Sequence, residues 1–193
     1  GLVGSEMCIR DSYNPVHRST RVPRTRWCVM RYPNQAMAAL AKMSVEAFEN
    51  FYFDACLVDY AKMCEAMTPL KELMERTDKV RIIAPGTDLA FSIKGIPAIK
   101  CCGEVNIPDG EVYTAPVKNS INGVVQFNTD TVYNGIFFSN VQLVFKDGRI
   151  TEASSLANND KLQDILETDA GSRYMGEFAF GLNPGITHPI LDI

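Results

Sequence analysis

No run of some 18 consecutive apolar residues occurs anywhere in the 193-residue chain, so no segment has the length and character of a membrane-spanning helix. No secretory signal is legible either. Basic residues do not dominate: 19 Lys and Arg stand against 23 Asp and Glu, a formal net charge of −4. That balance excludes a protein that binds nucleic acid chiefly by neutralising phosphates, which needs a basic face. The Arg18, Arg21, Arg24, Arg26 and Arg31 cluster is the local exception, and scattered arginines of this kind read as a solvated face. Histidine is scarce, with only His17 and His188. The six cysteines (Cys8, Cys28, Cys56, Cys64, Cys101 and Cys102) form none of the C-x-x-C pairs of a structural zinc site and read as reduced thiols. The glycine-containing segment Pro85-Gly86-Thr87-Asp88 lacks the lysine and the spacing of a phosphate-binding loop and reads as a turn. No internal repeat or low-complexity tract is present.

What the chain does have is a hydrophobic fraction of 46%, enough for a buried core, and a change of pattern part-way along. From Asn34 to Thr77 the residues are helix formers. Ser44 stands as an N-cap with Glu46 in the first turn, and Phe48, Phe51, Tyr52, Ala55 and Val58 recur at three- and four-residue steps. Thr68-Pro69 starts a new helix or kinks a long one. After Asp78 strand signals take over: Lys79 to Ala84 as a short buried strand, Asp88 to Ile93 with alternating Leu89, Phe91 and Ile93, then Gly123 to Asn128, Thr131 to Phe138 and Asn140 to Lys146. Asp147-Gly148 is a two-residue hairpin signal before Arg149, which makes an antiparallel sheet the natural expectation. Asn158-Asn159-Asp160 is expected to cap a helix running to about Glu167, and Asp169 to Met175 reads as a turn or short helix.

Two stretches carry candidate chemistry. In Asn106-Ile107-Pro108-Asp109-Gly110-Glu111-Val112-Tyr113-Thr114-Ala115-Pro116, a proline of fixed φ and a strong turn dipeptide precede Glu111, and β-formers follow it. The carboxylate is therefore aimed by rigid backbone on both sides, as a ligand residue must be. In Arg173-Tyr174-Met175-Gly176-Glu177-Phe178-Ala179-Phe180-Gly181, Glu177 again follows a glycine and opens a short apolar run. A glutamate after Asp-Gly is by itself most often a solvated turn residue; two of them in one arrangement point to a shared site.

These two stretches, together with Arg31-Tyr32-Pro33, Met43-Ser44, the run Phe48 to Tyr60, Thr77 to Ile82, Pro85 to Leu89 and Asn183-Pro184, resemble the metallo-aminopeptidase family of the aminopeptidase T and S type, in order and spacing over most of the chain. The resemblance implies removal of N-terminal residues from peptide substrates by two neighbouring divalent ions, with zinc, cobalt, manganese and magnesium not distinguished. It makes Glu111 and Glu177 metal ligands and Tyr113 and Arg173 plausible supporting groups. It implies further ligands (two histidines, an aspartate and a tyrosine) beyond Glu177, in a region this sequence does not reach, so the catalytic residues proper stay unassigned. Ala170 stands where the family would have an acid, and His188 matches none of its motifs. The fold expected is α+β. Residues 1–12 are a non-native extension, 13–78 the end of a helix-rich N-terminal α/β domain, and 79–193 the first part of a strand-rich catalytic domain with an antiparallel sheet. A cytoplasmic setting, no nucleic-acid or membrane partner, and a homodimer for the intact parent complete the expectation. Two rivals stand beside it: a non-catalytic peptide-binding or interaction module that keeps the fold, and a thiol enzyme using Cys101 or Cys102.

Overall fold

The computed structural model describes residues 13–191; the expected extension at 1–12 lies outside them. A π-helical turn, His17–Arg21, runs into a short helical turn, Val22–Arg24, and neither buries a residue. The element order then is β1 (Val29–Met30), α1 (Gln35–Leu40), α2 (Val45–Cys56), α3 (Tyr60–Ala66), α4 (Thr68–Arg76), β2 (Lys79–Ala84), β3 (Thr87–Ser92), β4 (Ile99–Cys101), β5 (Asn106–Ile107), β6 (Glu111–Thr114), β7 (Asn122–Gln126), β8 (Thr131–Tyr133), β9 (Ile136–Phe138), β10 (Gln142–Lys146), β11 (Arg149–Ser154), α5 (Asn159–Leu166) and β12 (Phe178–Gly181). This is an α+β chain with antiparallel sheets, as its sequence predicts.

The helical stretch is four helices because polar caps interrupt it. Asn34 Oδ1 accepts from the amides of Ala36 and Met37, Ser44 Oγ from Ala47, and Asp59 Oδ1 from Lys62, each satisfying a first-turn N–H that has no intrahelical partner. Thr68-Pro69 opens a new helix, α4, directly after Met67. The α2 stripe does bury Phe48, Tyr52 and Ala55, which leave Phe53 and Leu57 to solvent. Phe48, Tyr52 and Cys56 pack with Met37, Ala38 and Ala41 into one apolar cluster that Ile107 of β5 also joins.

The main sheet has the order β11-β10-β7-β3-β2, all antiparallel. Its inner face supplies Leu89, Phe91 and Ile93 to a larger cluster that also takes Met63, Met67 and Met74 from α3 and α4, so this cluster crosses residue 78. Strand β2 corrects one expectation. Lys79 to Ala84 is not buried but is the edge of the sheet, with Ile83 71% exposed, because only Val80 and Ile82 have a packed neighbour. Thr131 to Phe138 is likewise two strands, not one, turning at Asn134-Gly135 with both residues at positive φ. Asn158 does not cap α5 with its side chain, whose amide instead donates to Phe137 O. A second sheet, β12-β6-β4, is antiparallel and holds both glutamate stretches.

The β10–β11 hairpin turns at Asp147 and Gly148, φ +49 and +85°, and the Gly148 amide donates to Ile121 O at 2.8 Å. A Cβ on Gly148 would stand 1.8 Å from Lys118 O, on backbone that cannot yield without breaking the turn. Gly148→Ala is therefore expected to destabilise the chain by at least about 1–3 kcal/mol, the cost of left-handed backbone in a non-glycine residue with the clash added. Urea unfolding checks this, and an unchanged midpoint would show that the turn is adaptable.

Candidate metal centre

The turn before Glu111 is held from three directions. Asp109 spends both carboxylate oxygens on backbone, Oδ2 accepting from Gly103 N at 2.8 Å and Oδ1 from Gly110 N at 2.9 Å. The Asp109 carbonyl accepts from Asn183 Nδ2 at 2.7 Å, and the same amide group donates to Ala55 O, at the end of α2, at 2.9 Å. Asn183 Oδ1 in turn accepts from Gly185 N, and Leu182 N donates to Gly110 O at 2.7 Å. The Ile107–Pro108 peptide is cis. Gly110 has φ +130°, and a Cβ there would meet Asn183 Cβ at 2.7 Å and Met63 Sδ at 3.0 Å. Glycine precedes Glu111 because nothing larger fits between the clamp and the helix.

From that turn Glu111 enters β6, with Val112 and Thr114 buried on one face and Glu111 and Tyr113 on the other. In register, Cys101 of β4 and Gly181 of β12 stand opposite Glu111, and Ile99 and Ala179 opposite Tyr113. Alternation along the sheet puts these side chains on one face. Glu177 comes one residue before β12, towards the far end of the β6–β12 pairing, and is exposed. Its carboxylate nevertheless acts on Glu111. The Glu111 pKa is raised, first by burial, then by the charge of Glu177 and then by that of Asp109.

Among the described residues neither the Glu111 nor the Glu177 carboxylate takes part in a hydrogen bond or ion pair, whereas both oxygens of Asp109 are engaged. Both carboxylates have free oxygens, and for the half-buried Glu111 burial and the neighbouring charges disfavour ionisation. A hard divalent cation suits that donor set, since it supplies the positive charge that burial and repulsion make costly to lack. Glu111 and Glu177 gather no third His, Cys, Asp or Glu ligand atom into one shell among the described residues.

The other expected residues fall as follows. Tyr113 lies on the Glu111 face. Arg173 is held elsewhere, its guanidinium donating to Ile150 O and pairing with Glu167 at 3.6 Å, beside a cavity that Arg149, Thr151 and Asp169 also line. His188 is exposed. The thiol reading weakens: burial, followed by the acids Asp109, Glu111, Glu104 and Glu177, pushes Cys101 up to about 11, and Cys102 is pushed up to about 12, chiefly by burial. Neither carries the thiolate that a nucleophile needs at neutral pH. Sequence reasoning passed over Asn183 as a positioning residue; a polar amide followed by Pro-Gly, directly after an apolar strand, was the available sign.

A family model described as thermophilic metalloprotease (M29) matches residues 8–190. The chain belongs to that family. Among curated relatives, aminopeptidase AmpS of Bacillus subtilis is 34% identical over 105 residues, 50% of this chain and 26% of its own length. Aminopeptidase PepS of Streptococcus thermophilus is 29% identical over 202 aligned positions, 89% of this chain and 48% of its own. This M29 chain thus spans about half or less of the relatives it matches. Wild-type AmpT from Thermus thermophilus superposes with a TM-score of 0.61 at 24% identity, covering 71% of this chain and 38% of AmpT. A 2,5-dihydroxypyridine dioxygenase from Pseudomonas putida KT2440 gives 0.58 at 15% identity, covering 81% of this chain and 50% of that one. At those identities the likeness is one of fold, and a fold alone does not choose the chemistry.

Two expectations follow from this geometry in the M29 chain. Asn183→Ala strands the Ala55 and Asp109 carbonyls and should cost about 2–4 kcal/mol in urea unfolding, from one buried and one part-buried acceptor left unpaired. Asn183→Asp should do no better, because a carboxylate cannot donate to either; full stability in that variant would remove the clamp from the argument. Separately, Glu177→Gln should lower the pKa of Glu111 towards its ordinary value without restoring it, since burial remains, as read by carbon NMR titration of the side-chain carboxyl. The sign for stability follows. A raised folded pKa contributes stability fully present below the unfolded value and lost as pH rises through the folded one, so this dependence should shrink in Glu177→Gln.

Proposed function

We propose that Glu111 and Glu177 are metal ligands of an aminopeptidase, and that the whole protein releases N-terminal residues from peptides with two divalent cations. The observation that carries this reading is a pair of unengaged carboxylates, with the charge of Glu177 felt at Glu111, beside a third, Asp109, whose oxygens are committed to holding the turn. Family membership supplies the metalloprotease chemistry. When bound, such cations polarise a scissile carbonyl and lower the pKa of a water. This chain's own residues hold and orient: the Asn183 and Asp109 clamp fixes where Glu111 enters β6, and pairing of β12 with β6 holds the strand that Glu177 immediately precedes. Tyr113, on the Glu111 face, is placed to support the site, and Arg173 supports it indirectly by anchoring the segment that leads to Glu177.

We assign residues 13–78 to the end of an N-terminal α/β domain and 79–193 to the catalytic domain, in the reading that the resemblance implies. A cytoplasmic setting and a homodimer belong to the same proposal for the whole protein. No described helix is long and apolar enough to cross a membrane.

In the full-length protein, Glu111→Gln and Glu177→Gln should each reduce metal content, by elemental analysis, and lower turnover on a short peptide by about 100-fold or more, beyond the 10- to 100-fold that loss of an outer-shell partner produces. Full metal occupancy in Glu111→Gln would return that residue to a solvated turn. The 193-residue chain alone is expected to release no N-terminal residues, because two carboxylates are too few donors to define a two-metal centre. Metal-dependent release by the purified chain would overturn that.

A further inference from the structure

A second group of donors lies on the other side of the Gly103 turn. Cys64 is on α3, and Met67 ends that helix three residues later, a spacing that puts both sulfurs on one side of it. Cys102 and Glu104 follow β4. The Cys64 and Cys102 Sγ atoms and a Glu104 carboxylate oxygen all lie within 4.8 Å of one another, and Met67 Sδ is 3.7 Å from Cys102 Sγ. Two sulfurs bound tetrahedrally to one zinc-sized ion at about 2.3 Å stand about 3.8 Å apart. Glu104 Oε2 accepts from the Cys102 amide at 2.9 Å, which fixes the carboxylate over the thiols and leaves its other oxygen free.

We infer that Cys64, Cys102 and Glu104, with Met67 as a weak fourth donor, form a binding site for a thiophilic divalent cation of the zinc type. Charge favours a divalent ion. Binding displaces both thiol protons to solvent; the two thiolates and the carboxylate then carry three negative charges, of which a divalent cation leaves one. Lys100 is present to balance it, its ammonium fixed by Cys64 O at 2.9 Å and Thr68 Oγ1 at 3.0 Å. Packing as small hydrophobes accounts for buried thiols. It does not account for a carboxylate bound onto the same turn, or for a lysine whose ammonium is fixed at the Cys64 carbonyl.

The site joins helix α3 to the segment whose Gly103 amide holds Asp109, so a bound cation would stiffen the support of Glu111. The ligands come from positions 38 residues apart, 102 − 64, which is why no short cysteine motif announces them. The inference stands independently of the peptidase reading.

The test is titration of the reduced, chelator-treated 193-residue chain with Cd²⁺, following the thiolate-to-cadmium charge-transfer absorption and the thermal midpoint. A Glu111→Gln/Glu177→Gln background removes binding at the other centre. One equivalent should saturate the band and raise the midpoint, as any ligand of the native state alone does. Cys64→Ser and Cys102→Ser should each abolish the saturating phase, while Cys28→Ser and Cys101→Ser leave it. Glu104 is exposed, so Glu104→Gln does not threaten folding; it should weaken Cd²⁺ about 10-fold at unchanged stoichiometry. The absence of a one-equivalent band in the parent chain would overturn the inference. So would its survival in the Cys64→Ser/Cys102→Ser double variant, or an unchanged affinity in Glu104→Gln.

Discussion

One side-chain amide carries much of this structure. Asn183 reaches the carbonyl of Ala55, 128 residues earlier, and that of Asp109, 74 residues earlier, with two protons of one NH₂ group. It is 6% exposed, and its bond to Ala55 is made where water cannot substitute for it, that to Asp109 where water has only partial access. The end of α2, the turn before β6 and the loop after β12 are thereby one unit. Loosening any of them moves Glu111.

That dependence explains the local chemistry of the turn. Asp109 resembles a third ligand by type and position, but its oxygens accept from Gly103 and Gly110 and are not available. Its negative charge is still felt at Glu111 and at Cys101. The turn thus purchases backbone order with a charge that makes an anionic neighbour harder to form, a conflict a cation at Glu111 would relieve. Asp109 is committed to a structural task by what it touches, and the carboxylates of Glu111 and Glu177 are left free for the proposed ligating one.

The fold was legible wherever a single local signal decided it. Ser44 capped its helix, Leu89, Phe91 and Ile93 alternated into the core, and Asp147-Gly148 turned a hairpin. It was illegible where burial depends on distant partners: Lys79 to Ala84 has the composition of an inner strand but ends as an edge, because pairing places only β3 beside it. The aim of Glu111 was readable from Pro108-Asp109-Gly110. That Glu177 belongs with it was suggested by the repeated Gly-Glu arrangement, but the pairing that brings the two stretches into one sheet was not legible, since it depends on β6 lying between β4 and β12. Asn183 was quoted as part of a matching segment, yet its role required knowing what lay 74 and 128 positions away.

Arg173 shows the same limit from the other side. In sequence it stands four residues before Glu177, close enough to suggest a direct partner, but its guanidinium turns to Glu167 and the Ile150 carbonyl. Its amide neighbourhood is set by the preceding turn, where Asp169 Oδ1 accepts from Gly171 N, Ser172 N and Ser172 Oγ. Those bonds hold the Asp169 carboxyl below the ordinary range. The Arg173 carbonyl then accepts from Ile150 N, and Tyr174 bridges to Arg149, which fastens this segment to β11 just before the chain crosses to β12. Glu177 is thus delivered from the main sheet and Glu111 from the helical side, and the small sheet is where the two deliveries converge. A carboxylate pair assembled from opposite ends of the fold persists only if both routes are held, so the strength of the backbone anchors, more than any contact at the glutamates themselves, decides whether the pair is available to a cation.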